Sequence, residues 1–142
     1  LLHGELDRLS ADKLGLVIKV ETRKAFKRLP NLILAAMRRY PIAVRIARGD
    51  LAVEGGWTRL AVMQMEILWI CDAARVPVMW ATQVLEQEAK KGFPSRAEIT
   101  DAAESQRADC VMLNKGPHIL AAIRTLDSIL RRMQTLRRGK TS

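Results

Sequence analysis

The sequence has no run of apolar residues long enough to cross a membrane, because a helical span needs about 18 to 20 of them. Its longest candidate, residues 60–69, is interrupted by Gln64 and Glu66. The first residues resemble neither a signal peptide nor a transit peptide. They include no initiator methionine and open on a helix-like pattern, so we expect a fragment of a longer protein or a truncated reading frame.

Cysteine and histidine are scarce and lack metal-ligand spacing. Cys71 and Cys110 each lie in an apolar stretch, so we expect buried, reduced thiols and a cytoplasmic protein. His3 and His118 lie outside any metal motif, and we expect both to be exposed or locally hydrogen-bonded. His118 follows a proline at a predicted helix start, where a phosphate contact is the alternative.

Aromatic residues make up only 4% of the chain, whereas basic residues are in excess and give a net charge of +9. A basic chain can indicate nucleic-acid binding. Here the basic residues fall in separate clusters, and few aromatic rings are available for base stacking. We therefore expect solvated helix faces rather than a nucleic-acid site. The three tryptophans, Trp57, Trp69 and Trp80, are expected to pack on helices or against a sheet.

Glycine-rich dinucleotide and phosphate-binding loops are also missing, which argues against a Rossmann or P-loop enzyme. Four short apolar runs cover residues 14–20, 42–47, 77–81 and 109–113. Their starts are spaced by about thirty residues, the length of one βα unit. Helical patterns fill the gaps over residues 22–39, 58–74, 82–90 and 117–136, and a capping box joins Ser95 to Glu98. The 142 residues therefore predict one α/β domain of about four parallel strands with their helices, of barrel rather than Rossmann type.

Polar residues follow each predicted strand at its C-terminal end, the edge that carries the active site in parallel α/β folds. Lys19 and Glu21 lie two residues apart on the first strand, so their side chains share a face. Glu21 and Asp50, from neighbouring strands, together offer the hard oxygens that Mg²⁺ prefers. The glycine turn at Gly49 exposes backbone N–H groups that can hold a carboxylate. For Lys19 and Glu21 alone, a simple ion pair is the alternative.

Five segments resemble consecutive motifs of the pyruvate kinase family. They are Lys-Val-Glu-Thr at residues 19–22, Ile-Ala-Arg-Gly-Asp-Leu-Ala-Val-Glu at 46–54, Ala-Thr-Gln-Val-Leu-Glu at 81–86, Ser-Arg-Ala-Glu at 95–98 and Ala-Asp-Cys-Val-Met-Leu at 108–113. They occur in order and at βα spacing, within a resemblance that runs from about residue 14 to about residue 129. The resemblance implies the second half of a catalytic TIM barrel, from a divergent bacterial-type branch without the usual C-terminal domain. We expect this domain over residues 1–136, followed by a basic tail over 137–142.

The family converts phosphoenolpyruvate and ADP to pyruvate and ATP in glycolysis, with Mg²⁺ and usually K⁺. By resemblance, Lys19 would lie against the transferred phosphoryl group, and Glu21 and Asp50 would bind Mg²⁺. The backbone N–H groups of Gly49 and Asp50 would hold the substrate carboxylate. Thr82 would lie near the enolate carbon and assist its protonation.

The sequence departs from the family pattern at two motifs. Thr22 follows the Lys-x-Glu motif where most members have asparagine, and Asn114-Lys115-Gly116 replaces the usual Ser-Gly-Glu after the fourth strand. An amide thus stands where a hydroxyl relays the proton. No segment matches the first four strands, the lid or the regulatory domain, and those strands supply the K⁺ ligands and the phosphate-gripping arginine in the family. We expect the isolated chain to be inactive or incomplete, with two open sheet edges.

The sequence leaves two other functions open. The chain can be a binding or regulatory fragment, completed by the rest of a barrel or by a homo-oligomer partner. It can also be a Mg²⁺-dependent aldolase or lyase acting on an oxo-acid enolate, although such an enzyme needs no lysine two residues before its metal-binding glutamate. Arg96 and Glu98 are candidates for a subunit interface by resemblance, or an exposed helix start.

Overall fold

Four parallel strands alternate with helices along the chain. The computed structural model describes residues 2–9, 14–38 and 41–140, except for the side chains of His3 and Lys140. The elements are α1 (Leu2–Arg8), β1 (Leu16–Val20), α2 (Arg23–Met37), β2 (Ile42–Ala47), α3 (Arg48–Gly55), α4 (Trp57–Ala73), β3 (Val78–Val84), α5 (Glu86–Lys91), α6 (Arg96–Glu104), a 3₁₀ turn (Ser105–Arg107), β4 (Cys110–Leu113) and α7 (Ile119–Lys140). The sheet order β1-β2-β3-β4 confirms the predicted α/β fold.

The sheet has one face covered by helices and one open face. Val20, Ile46 and Trp80 are fully buried on the covered face, where they join the core formed with the helices. The alternate residues point the other way, because successive side chains in a strand alternate between faces. Val17 on this second face is 52% exposed, so the described residues leave it largely open.

Arg45 also lies on the open face, where it pairs in register with Lys19 of β1 and Met79 of β3. Its Nε atom is buried and has no hydrogen-bond partner among the described residues. The cationic side chain of Arg45 therefore lies on the strand next to Lys19, at the same level of the sheet.

Side chains cap the starts of two helices, and the sequence predicted one of these caps. The N–H of Ala25 donates to Oγ1 of Thr22 at 3.1 Å, which caps α2. The capping box at α6 is confirmed, since the Glu98 N–H donates to Ser95 Oγ at 3.2 Å and the Ser95 N–H to Glu98 Oε2 at 2.9 Å.

The helix predicted over residues 82–90 was wrong at its start. Strand β3 continues to Val84, and α5 begins only at Glu86. The intervening backbone leaves the right-handed helical region, with φ of 62° at Gln83 and 48° at Leu85. These residues have ordinary helix-forming side chains, so the interruption comes from tertiary contacts that the local sequence does not encode.

Three burial predictions were wrong. Cys110 is exposed at the start of an edge strand, whereas Cys71 is buried as expected. Trp57 and Trp69 are 75% and 62% exposed on α4, and only Trp80 packs in the core. Apolar neighbours in sequence suggested burial of Cys110, and residue type suggested packing of the tryptophans. Exposure depends instead on which face of each element meets the sheet.

The C-terminal helix is longer than the sequence suggested, since α7 continues through Lys140. Thr141 and Ser142 of the predicted tail, and residue 39 at the predicted end of α2, lie outside the described residues. The division at residue 136 stays a prediction. No helix in the described part of the chain is long and apolar enough to cross a membrane.

We expect the core face of α4 to contribute most of this helix's stability. Ile67 is fully buried and Val62, on the same helix, is 57% exposed. Ile67→Ala should lower the free energy of unfolding by about 2–5 kcal/mol, because it removes buried methyl groups and leaves a cavity. Val62→Ala should change it by less than about 0.5 kcal/mol. Urea denaturation followed by circular dichroism measures both, and equal losses would contradict the burial of Ile67 in the core.

The two thiols should differ in reactivity. Burial, with a smaller effect of the Asp109 carboxylate, raises the pKa of Cys71 to about 11. At pH 8, iodoacetamide should modify Cys110 in the folded chain and Cys71 only after unfolding, which mass spectrometry resolves. Because the folded pKa of Cys71 exceeds its unfolded value, its contribution to stability is lost as pH rises from about 9 through 11.

The variant Cys110→Ser is the control for this labelling. It should take up no reagent while folded and one equivalent after unfolding. Rapid labelling of the folded variant would mean that Cys71 is accessible.

Candidate active site

An ammonium group lies between two carboxylates at the end of β1. Nζ of Lys19 forms an ion pair with Glu21 Oε2 and lies 3.6 Å from Asp50 Oδ2. The contact with Glu21 is the main cause that raises the pKa of Lys19, and Asp50 adds to it. Lys19 is therefore protonated at neutral pH. All three side chains keep 42–62% of their surface exposed, so the group is open to solvent and to a ligand.

The turn after β2 presents backbone donors next to these charges. Helix α3 begins directly after Ala47, at Arg48, and places Gly49 and Asp50 in its first turn. N–H groups in the first turn have no acceptor within the helix, and the helix dipole favours an anion there. The position can thus bind a carboxylate through Gly49 and Asp50.

Thr82 and Gln83 of β3 lie against this turn. A methyl group added to Gly49 would lie 3.6 Å from Thr82 Oγ1 and 3.3 Å from Gln83 Oε1. The Gln83 N–H donates to Asn114 Oδ1 at 3.1 Å, which ties β3 to the segment after β4. The left-handed φ of Gln83 is the kind of local strain that proteins retain where the surroundings impose it, often at functional sites.

An open cleft of about 650 Å³ extends from this point across the ends of β3 and β4. Its lining includes Gly49, Asp50 and Thr82, followed by Asn114 and Lys115 on the far side. Lys19 and Glu21 adjoin the cleft through Asp50. Trp57 and Gln83 also line the cleft. The ring of Trp57 is exposed there, whereas the sequence predicted that it packs on a helix or against the sheet.

The residues that the sequence indicated are brought together by three neighbouring strands. Lys19 and Glu21 meet Asp50, and Gly49 adjoins Thr82. Sequence reasoning missed the network behind them. Arg48, the first residue of α3, pairs with Asp101 of α6 and donates to backbone carbonyls of β3. Asp101 carries no sequence signal, because it lies on an ordinary helix 53 residues away from Arg48.

The donor set of Glu21 and Asp50 fits a magnesium ion. Both carboxylates reach the same ammonium, so their oxygens converge on one region of space. Among the described residues no three His, Cys, Asp or Glu side chains form a ligand cluster. Magnesium usually takes one or two carboxylates and completes its shell with water and substrate oxygens, which an exposed pair allows.

The fold and the site define a parallel α/β domain with its polar residues at the C-terminal ends of the strands. Residues 6–117 match the family "Pyruvate kinase, barrel domain". The chain belongs to the pyruvate kinase family, and its four strands and helices are consistent with part of that family's TIM barrel.

Similar proteins named pyruvate kinase cover most of this chain. The pyruvate kinase of Thermotoga maritima is 34% identical over 86% of the chain and 26% of its own length. Plastidial pyruvate kinase 3 of Arabidopsis thaliana is 31% identical over 99% of the chain and 25% of its own length. A pyruvate kinase of Mycobacterium tuberculosis is 32% identical over 92% of the chain and 28% of its own length. The chain thus spans about a quarter of the length of these relatives.

Gly116 explains part of the unusual segment after β4. A Cβ atom at this position would lie 2.2 Å from the carbonyl oxygen of Ala89 in α5. The same oxygen accepts a hydrogen bond from the His118 N–H at 2.9 Å. The segment therefore runs directly over α5, and only a glycine fits there.

We expect Gly116→Ala to destabilise the chain by about 1–3 kcal/mol, because the backbone of α5 must move to admit the methyl group. Gly4→Ala is the matched control, since a Cβ there has no neighbour within 4 Å. It should leave stability unchanged or raise it slightly, because alanine favours a helix. Urea unfolding of both variants tests this, and a neutral Gly116→Ala would contradict the close approach.

Proposed function

We propose that this chain carries the phosphoenolpyruvate- and Mg²⁺-binding part of a pyruvate kinase site. In the whole protein, that site transfers a phosphoryl group between phosphoenolpyruvate and ADP and yields pyruvate and ATP. The observation that carries the proposal is the junction of β1 and β2, where Lys19 meets both Glu21 and Asp50. Asp50 and the start of α3 line the cleft, and Lys19 and Glu21 adjoin it through Asp50. This combination of a cation, two carboxylates and a helix start suits a small phosphorylated acid.

The charges support distinct roles for these groups. Lys19 is a protonated cation whose ammonium lies against the phosphoryl oxygens and offsets their charge. The N–H groups of Gly49 and Asp50 hold the substrate carboxylate at the start of α3. Phosphoryl transfer depends mainly on positioning and charge neutralisation, which these fixed groups provide.

Glu21 and Asp50 would hold magnesium. When bound there, the ion supplies positive charge that offsets the developing negative charge on phosphoryl and enolate oxygens. In the described part of the chain, both carboxylates pair with the ammonium group of Lys19.

Thr82 is the group we assign to the enolate side of the substrate. Its hydroxyl lies beside Gly49, within reach of a carboxylate-anchored ligand. Asn114 stands where the family has a serine, and its Oδ1 already accepts the Gln83 N–H. Asn114 therefore holds the shape of β3 rather than relaying a proton, and protonation relies on Thr82.

The proposal includes partners outside this chain. Phosphoenolpyruvate or pyruvate and ADP or ATP are the substrates, in the cytoplasm, with K⁺ bound by residues elsewhere in the complete barrel. The remainder of that barrel, or a second copy, covers the open face of the sheet. The four described strands supply only part of the site.

The test is calorimetric titration of oxalate, an enolpyruvate analogue, into the folded chain with and without Mg²⁺. We expect binding only with Mg²⁺, and a loss of roughly tenfold in affinity, about 1.4 kcal/mol, for Glu21→Gln because one metal ligand is removed. Glu104→Gln is the control, since Glu104 pairs with Arg107 outside the site.

Three results would contradict the proposal. These are binding that does not need Mg²⁺, affinity unchanged by Glu21→Gln, or no binding by a chain that circular dichroism shows to be folded. The last result would mean that the described strands do not hold a preorganised part of the site.

A further inference from the structure

We propose that Asp101 is a positioning residue for the anion-binding side of this site, acting through Arg48. Asp101 lies on α6, and Arg48 is the first residue of α3. The identity of the ligand rests on the function proposed above. The mechanical link between α6, β3 and α3 rests on contacts of this chain alone.

The Arg48 guanidinium is shared between a strand end and a carboxylate. Its Nε donates to the Ala81 carbonyl at 3.1 Å, and its Nη2 donates to the Thr82 carbonyl at 2.6 Å. On its other side, Nη1 contacts Asp101 Oδ1 and Nη2 lies 2.8 Å from Asp101 Oδ2. This is a two-pronged arginine–carboxylate pair, which fixes orientation as well as distance.

Trp80 contacts both members of this ion pair. The guanidinium carbon lies 4.6 Å from the centre of its ring, and the indole Nε1 donates to Asp101 Oδ1 at 3.3 Å. Trp80 is fully buried, while the side chains of Arg48 and Asp101 keep only 12% and 25% of their surface exposed. Asp101 is therefore held by two partners and in turn holds the cation against the strand.

These contacts control the geometry of the cleft without entering it. The cleft lining contains Gly49, Asp50 and Thr82 but neither Arg48 nor Asp101 among the described residues. Gly49 and Asp50 follow Arg48 directly in α3, and Thr82 provides one of the two carbonyls that Arg48 binds. Anchoring Arg48 thus sets the spacing between the donors of α3 and the hydroxyl of Thr82.

The position of Arg48 depends on the negative charge of the Asp101 carboxylate. A poorly exposed guanidinium without its counter-ion is strongly unfavourable and is drawn towards water. Such a movement would release the carbonyls of Ala81 and Thr82 and loosen the start of α3. Displacements of about 1 Å in a binding site are enough to lower affinity or rate by large factors.

The matched variants are Asp101→Asn and Asp127→Asn. Asp127 also accepts two bonds from an arginine, Arg131, at 2.8 and 3.0 Å, but on an exposed face of α7. Each substitution removes one carboxylate charge and keeps the shape. Asp101→Glu restores the charge, and Arg48→Lys keeps the cation but cannot reach the same set of acceptors.

The first measurement is amide hydrogen exchange, which needs no ligand. We expect Asp101→Asn to speed exchange at least tenfold in residues 48–55 and 81–84, and much less in α7 and the core of α4. Asp127→Asn should leave these segments unchanged. Unchanged rates at 48–55 and 81–84 in Asp101→Asn, or equal acceleration along the whole chain, would overturn the proposal.

The second measurement is oxalate titration with Mg²⁺, at a temperature where circular dichroism shows every variant folded. Asp101→Asn should weaken binding by roughly ten- to a hundredfold, Asp101→Glu should recover part of the loss, and Asp127→Asn should bind as the parent does. The losses in Asp101→Asn and Arg48→Lys should be less than additive in the double variant, because the two residues act as one unit.

The two measurements separate this proposal from the proposed function. If the folded parent chain fails to bind oxalate while exchange responds locally, the ligand assignment fails and the positioning link stands. If the parent binds and Asp101→Asn binds equally well, Asp101 is only a structural residue and the proposal is overturned.

Discussion

The parallel, in-register pairing of the strands is the constraint on which the site depends. Lys19 aligns with Arg45, and Ala47 aligns with Ala81, so the residues that follow each strand emerge at one edge. A slip of one residue would turn each side chain to the opposite face. The chemistry of the site therefore follows from apolar packing on the covered face, where Val44, Ile46 and Trp80 hold the register.

Much of this organisation could be predicted from the sequence, because it is periodic. Buried parallel strands leave continuous apolar runs, and their spacing by helices is regular. Lys19 and Glu21 could be placed on one face from the alternation of strand residues alone, and their ion pair agrees with it. Thr82 and Asp50 were predictable as strand-end residues, although only the structure shows that both line one cleft and that Thr82 lies close to Gly49.

The remaining features depend on contacts between distant segments. Asp101 meets Arg48 across 53 residues, and no local pattern marks it. The sequence predicted a helix at the end of β3, because side chains there are compatible with a helix. In the structure Asn114 accepts a hydrogen bond from the Gln83 N–H, and the backbone of Gln83 has a left-handed φ. The exposure of Trp57 depends on which side of α4 faces the sheet, and not on its apolar character.

Arg45 limits what can cover the open face of the sheet. Its buried Nε donor has no acceptor among the described residues, and a buried donor without a partner costs about 1–3 kcal/mol. A wholly apolar surface over this face would offer no acceptor to the Nε donor and would also keep water away from it. A cover that brings a carboxylate or a carbonyl to Arg45 avoids it. Arg45 thus disfavours a wholly apolar cover and favours one that carries a hydrogen-bond acceptor at this position.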